Sequence, residues 1–248
     1  MLKQIPNALT SLNLLCGCVA VLFVISGDLV SAAIFTGLGI FFDFFDGMAA
    51  RLFNAQSAVG LQLDSLADMV TSGVVPGLVM VQLLSRSYTG SYFEVDQLFA
   101  ATSWPDAMRS WLPLVGLLIV VGSANRLAKF NVDDRQTDSF IGLPTPANTL
   151  LILSFGLILE FNDLPWVIEL LRNSWFLVSI TVISTLLLNA EISLFALKFK
   201  TWDVKSNLKR YVFLAFSLVS LVLLKFLAIP FIIAVYILMS LVWKDETA

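Results

Sequence analysis

Ile40-Phe-Phe-Asp43-Phe-Phe-Asp46-Gly47-Met-Ala-Ala50-Arg51 closes one apolar segment, and Gly60-Leu-Gln-Leu-Asp64-Ser-Leu-Ala-Asp68-Met69 opens the next. Four aspartates thus stand inside hydrophobic helices. A charged residue at mid-membrane costs roughly 2.5–3.5 kcal/mol on insertion scales, so four facing lipid would cost on the order of 10 kcal/mol. They must instead face a polar volume or a shared counter-ion. Asp43, Asp46, Gly47 and Ala50 fall at i, i+3, i+4 and i+7, and Gly60, Asp64 and Asp68 at i, i+4 and i+8, so each set shares one helix face. The link 53–59 is short, which makes the two helices antiparallel neighbours and brings the carboxylates to one end of a bundle. Converging negative charges repel, and divalent cations relieve that repulsion. All-oxygen ligands select a hard ion, Mg²⁺ or Mn²⁺, over Zn²⁺. Four carboxylates suffice for two ions with bridging ligands, an arrangement that stabilises phosphoryl displacement. On spacing alone, an intramembrane ion or proton pathway, or aspartates paired with Arg51, remains open.

The rest of the chain agrees with a membrane setting. Of 248 residues, 58% are hydrophobic and only 13% charged, and the mean hydropathy is +0.88. A soluble domain carries roughly 25% charged residues. Lys+Arg (15) falls below Asp+Glu (18), so there is no basic footprint for nucleic acid. The absence of histidine removes His-based zinc sites, Ser-His-Asp triads and imidazole acid–base chemistry. Any catalysis must run on carboxylates, hydroxyls, Lys/Arg or bound metal. Cys16 and Cys18 read as small apolar residues of one helix.

A span needs about 20 mostly apolar residues. That ruler predicts an all-α polytopic bundle with about eight spans, near 8–26, 30–52, 64–84, 111–130, 146–161, 174–190, 209–227 and 229–244, with Pro230 separating the last two. Residues 165–172 are open to a short interfacial helix. The first run reads as a membrane helix rather than a cleaved signal. With a cytoplasmic N-terminus, the inside collects eleven cations (Lys3, Arg51, Arg126, Lys129, Arg135, Lys198, Lys200, Lys205, Lys209, Arg210, Lys244) and the outside three (Arg86, Arg109, Arg172). The positive-inside rule therefore places the N-terminus, and the aspartate end, in the cytoplasm. The segment 85–110 reads as an outer loop with interfacial rings.

Asp43-x-x-Asp46-Gly47-x-x-Ala50-Arg51, then eight residues, then Gly60-x-x-x-Asp64-x-x-x-Asp68 resembles the complete signature of the CDP-alcohol phosphatidyltransferases. All eight fixed positions match, over 26 of 248 residues. Three further stretches are similar to the phosphatidylserine synthases of that family, the subgroup whose acceptor is L-serine. They are Ile5–Asn13 opening the first helix, Ala124–Val132 ending the fourth and Gly142–Asn148 opening the fifth.

The resemblance implies a six-helix core (residues 1–200) with an appended C-terminal helix pair (201–248). It also implies transfer of the phosphatidyl group from CDP-diacylglycerol to the hydroxyl of L-serine, giving phosphatidylserine and CMP, in a homodimer of the cell inner membrane. Asp43, Asp46, Asp64 and Asp68 are then the ligands of two Mg²⁺ or Mn²⁺ ions, with Asp68 also the general base. Thr10, Asn13, Gly47, Ala50, Arg51 and Gly60 would contact CDP-diacylglycerol. Gly47, Gly60 and Ala50 allow close approach, and Arg51 would clamp phosphate unless it pairs with Asp46 or snorkels. A helix cap is the alternative role for Asn7 in that first segment. Arg126, Lys129 and Arg135 would bind the acceptor carboxylate, or else serve topology and lipid head groups. The alternatives are another acceptor (glycerol 3-phosphate, an inositol phosphate or choline) and a cation transporter.

Overall fold

Two capped helices set the frame. Asp28 accepts a hydrogen bond from Ser31 N at 2.9 Å at the start of α2 (Leu29–Leu52), and Ser57 Oγ accepts from Gly60 N at 3.0 Å at the start of α3 (Ala58–Met69). Such caps satisfy amide donors that a helix start leaves free. Between them Asn54 takes a left-handed φ of 47°, which reverses the chain in a few residues. The computed structural model describes residues 4–100, 103–132, 139–195, 203 and 207–242. α1 is Ile5–Ile25; α4 is Val75–Thr89, joined to α3 by a π-helical turn at Val70–Val74; α5 is Trp104–Trp111, continuing through a 3-10 turn into α6 (Leu118–Phe130). α7 (Thr145–Phe161), α8 (Pro165–Leu171), α9 (Ser174–Asn189), α10 (Leu208–Leu224) and α11 (Ala228–Val242) complete the helices.

Each expected segment is helical over most of its described residues, with different ends. The third begins at Ala58 and runs through the π turn to Thr89, and the fourth begins at Trp104. Five runs are long and apolar enough to cross a membrane, or six if the α8–α9 pair, bent by 68°, is one span; α7 is shorter. The bend makes Pro165–Leu171 a separate short helix. The last run covers 35 residues but is folded. Lys225 takes φ 51°, and Phe213 of α10 packs on Tyr236 of α11 with ring centroids 5.6 Å apart. The break therefore lies at Lys225–Leu227, and not at Pro230. That proline sits in the first turn of α11, where a missing N–H costs nothing. The chain also holds one element outside an all-helical description: β1 (Ser139–Ile141) pairs antiparallel with β2 (Ser193–Phe195), Phe140 opposite Leu194. This ladder joins the start of α7 to the end of α9.

Packing is inverted relative to a water-soluble protein. Thr10, Asn13, Thr36, Thr71, Ser72, Ser123, Asn148, Thr149 and Thr181 are buried, while Leu22, Phe44, Leu66, Leu186 and Leu223 are exposed. Such an apolar exterior belongs to lipid, and small polar residues between helices are the expected glue there. With the long apolar runs, it makes the chain an integral membrane protein. The apolar core (Ala20, Val24, Ala32, Val79, Met80, Ile119, Ile152, Phe155, Leu177) joins α1, α2, α4, α6, α7 and α9.

One proline organises the junction of α3, α4, α6 and α7. Pro76 has no N–H to donate to the Ser72 carbonyl four residues back. A carbonyl stranded in this way must find another donor when buried. Ser72 O accepts from Thr149 Oγ1 of α7 at 3.1 Å, a hydroxyl shared with Thr145 O at 2.8 Å, and from Ser123 Oγ of α6 at 3.4 Å. On the other side of the π turn, Thr71 fits into a notch of two glycines. A Cβ on Gly17 would lie 3.2 Å from the Thr71 backbone, and one on Gly39 would lie 2.7 Å from Thr71 Cγ2 and 2.9 Å from Asn13 Oδ1.

Candidate active site

The aspartates converge. One carboxylate oxygen each of Asp43, Asp46 and Asp64 lies within 4.8 Å of the others, a group able to hold a metal ion. Asp46 is buried and Asp43 and Asp64 half-buried, and one buried oxygen of Asp64 has no hydrogen-bond partner among the described residues. A desolvated carboxylate oxygen without a donor is costly, and a bound cation removes that cost. The donor set therefore fits a hard divalent ion.

Asp68 stands one turn deeper, outside that trio but within electrostatic range of Asp43, Asp46 and Asp64. Helix α1 supplies the partners behind the carboxylates. Thr10 Oγ1 donates to Asp46 Oδ2 at 2.5 Å, and Asn13 Nδ2 donates to Asp68 Oδ1 at 3.3 Å. Asn13 Oδ1 accepts in turn from Thr71 Oγ1 at 2.8 Å. Asn13 is fully buried, with both ends of its amide engaged by protein. Thr10 does face the cavity, so of the two expected substrate contacts on α1 only Thr10 lies on its wall.

That cavity, about 870 Å³, is within the range of ligand sites, roughly 300–1,000 Å³. Asp46, Asp64, Gly47, Ala50, Arg51 and Gly60 line it together with Pro6, Asn7 and Thr10 of α1, Gln56 and Ser57 of the α2–α3 link, and Phe130. At Gly47 a Cβ would point into open space, nearest to Arg51 Nη2 at 4.0 Å, so packing does not explain the glycine and the backbone there is open to the cavity. At Gly60 a Cβ would be crowded, with Ser57 Oγ at 3.1 Å and Asn7 Oδ1 at 3.2 Å, so those side chains would have to give by a few tenths of an ångström. Arg51 donates from Nε to Gly47 O at 3.0 Å, which holds the exposed guanidinium at the cavity wall. Asn7 does not cap α1. The helix already begins at Ile5, and Asn7 lines the cavity instead.

Among the expected acceptor residues, Arg126 is buried at the end of α6, with Asp68 within electrostatic range and its Nε without a hydrogen-bond partner. Lys129 is exposed. Arg135 lies outside the described residues, as do Lys3, Lys198, Lys200, Lys205 and Lys244 of the basic set. Sequence reasoning passed over Thr71, Ser72 and the Ser65–Asn131 pair, in which Ser65 Oγ lies 3.1 Å from Asn131 Oδ1 and Asn131 Nδ2 lies 2.9 Å from Ser65 Oγ. Pro76 in an apolar run was the available signal for Ser72.

Comparison with known proteins agrees with this geometry. The chain is 35% identical over 160 residues to a CDP-diacylglycerol–serine O-phosphatidyltransferase of Bacillus subtilis, covering 62% of this chain and 77% of that protein. It is 30% identical over 185 residues to the Mycobacterium tuberculosis protein of the same name (71% and 55% covered) and 30% identical over 162 residues to an archaetidylserine synthase of Methanothermobacter thermautotrophicus (64% and 60%). The chain thus spans little more than half the length of the mycobacterial relative. The profile of the CDP-alcohol phosphatidyltransferases matches residues 3–187, which include every carboxylate of the basin, and the chain belongs to that family.

Proposed function

We propose that the protein transfers the phosphatidyl group of CDP-diacylglycerol to the hydroxyl of L-serine, releasing CMP. The observation that carries this reading is the carboxylate trio Asp43, Asp46 and Asp64, two of which (Asp46 and Asp64) line a cavity whose Gly47 leaves backbone open to a ligand. The relatives named for serine transfer support the acceptor.

Asp43, Asp46 and Asp64 would hold Mg²⁺ or Mn²⁺, with Asp68 completing a second position. Bound there, such an ion neutralises pyrophosphate charge and stabilises the leaving phosphate. The remaining work falls to the chain. Thr10 fixes one oxygen of Asp46, and Asn13 fixes one oxygen of Asp68. Arg51, Gly47, Ala50 and Gly60 receive the pyrophosphate and cytidine. Asp68 takes the proton from the serine hydroxyl as its oxygen attacks the phosphorus that carries diacylglycerol. The bond from that phosphorus to the CMP oxygen breaks, and CMP leaves. Arg126 and Lys129 offer positive charge to the acceptor carboxylate. In this reading the basin faces the cytoplasm, residues 1–200 form the catalytic membrane domain with 201–248 packed on it, and the protein works as a homodimer.

The test is an acceptor panel: purified protein, CDP-diacylglycerol, Mg²⁺ or Mn²⁺, and serine, glycerol 3-phosphate, inositol phosphate or choline in turn. Serine-dependent CMP release with phosphatidylserine formed supports the assignment. Release driven by another alcohol, and not by serine, overturns it.

A further inference from the structure

Behind Asp68 lies a second group of side chains that the carboxylate basin does not use. Asn148, in the first turn of α7, is fully buried, and neither atom of its amide has a hydrogen-bond partner among the described residues. Ser72 Oγ, fully buried, and Arg126 Nε, on a side chain 7% exposed, are likewise without partners. Buried polar atoms are satisfied in the great majority of cases, and unsatisfied ones call for a ligand or a strain account.

The fold ties the three helices that carry these groups together at Ser72. Thr149 and Ser123 meet on the same Ser72 carbonyl, at 3.1 and 3.4 Å. Asn148 is the residue before Thr149, and Arg126 lies one turn beyond Ser123. Asp68 lies one turn before Ser72. α6 arrives at the aspartate end, where α3 and α7 begin, so all three steps away from Ser72 run toward the carboxylates. Arg126 is within electrostatic range of Asp68 on one side and of Tyr236 of α11 on the other. Tyr236 is itself fixed by donating to Phe195 O at 2.9 Å.

An amide with both ends free offers one acceptor and two donors on a single rigid plane. The Arg126 guanidinium, on the helix whose Ser123 shares the Ser72 carbonyl with Thr149, offers a planar fork that suits a carboxylate. A free ammonium needs an acceptor, a free carboxylate needs donors, and an α-amino acid carries both. Deepening the serine-transfer reading, and resting on it, we propose that Asn148 is an acceptor-specificity residue. Its Oδ1 takes a hydrogen bond from the acceptor's ammonium group, and its Nδ2 joins Arg126 on the carboxylate. The pair thereby selects a zwitterionic hydroxy-amino acid and directs its hydroxyl to Asp68.

The experiment compares wild type, Asn148→Ala and Asn148→Asp with L-serine, ethanolamine (no carboxylate) and 3-hydroxypropionate (no ammonium). CMP release is the readout, and CDP-diacylglycerol binding to each variant is measured separately by thermal shift in detergent. Wild type uses serine in preference to both analogues. Asn148→Ala is expected to raise the KM for serine at least tenfold, to narrow the preference for serine over the analogues, and to keep CDP-diacylglycerol binding. Asn148→Asp keeps an acceptor for ammonium but repels carboxylate, so it is expected to favour ethanolamine over serine, a gain that an unfolded protein cannot show. Unchanged serine KM and analogue preference in both variants overturns the proposal. So does loss of CDP-diacylglycerol binding together with activity in both, which would make Asn148 a packing residue. A wild type that ignores serine but uses another alcohol would instead refute the serine-transfer reading itself.

Discussion

Asn13 Nδ2 donates to Asp68 Oδ1 at 3.3 Å while Asn13 Oδ1 accepts from Thr71 Oγ1 at 2.8 Å, so one amide ties the expected base to the π turn beside it. Asn13→Ala removes the tether and leaves the carboxylate in place. Loss of a partner of this kind typically costs about 10–100-fold. That loss is expected in kcat, with the KM for CDP-diacylglycerol little changed, in steady-state assays that vary each substrate.

Asp68→Asn tests the base directly. The trio Asp43, Asp46 and Asp64 is intact in this variant, so metal binding should persist by calorimetry. Turnover should fall by about 10²–10⁴, the range of a positioned general base. Full activity would refute the role.

Metal dependence follows from the orphaned Asp64 oxygen and the crowded trio. EDTA is expected to abolish CMP release, and Mg²⁺ or Mn²⁺ to restore it. Thr10→Val removes the donor to Asp46. It should raise the metal concentration for half-maximal activity by about 10–100-fold, as measured by metal titration.

The Ser72 carbonyl predicts non-additive stability. Thr149→Val or Ser123→Ala alone leaves it one donor. The double variant strands a buried carbonyl and should lose about 1–3 kcal/mol beyond the sum of the singles. Thermal melting in detergent reads this, and additive shifts would show that the carbonyl is satisfied elsewhere.

Gly39→Ala forces a methyl against Thr71 and Asn13. Overpacking of this kind costs about 1–3 kcal/mol. Because it shifts Asn13, it should also lower kcat, whereas Gly37→Ala, which meets nothing within 4 Å, should change neither melting nor turnover.

The carboxylate basin was legible because charge in an apolar helix has few explanations and because helical spacing projects directly onto a face. The short link brought the end of α2 and the start of α3 to one place, but the two helices are not packed chiefly on each other as expected: both lie against α1. The break before α11 was misplaced because Pro230 is a visible signal and a left-handed lysine is not. The β1–β2 ladder joins two three-residue strands far apart in sequence, too short for periodicity to register. Pro76 announced a stranded carbonyl, but its satisfaction by Thr149 and Ser123 depends on packing between distant helices. Asn148 likewise looks like an ordinary turn residue until its neighbours show that nothing among the described residues answers its amide.

The nucleotide-sized cavity has Leu61 and Phe130 on its wall, 45% and 39% exposed, on an exterior that is itself apolar. A diacyl substrate there need never leave its leaflet, because its tails can stay among neighbouring lipids while its head group turns inward. Encounter is then two-dimensional. The rate should follow the mole fraction of CDP-diacylglycerol in the bilayer or micelle rather than its bulk concentration. Adding inert detergent at constant substrate should slow the enzyme by surface dilution, without any change in the protein itself.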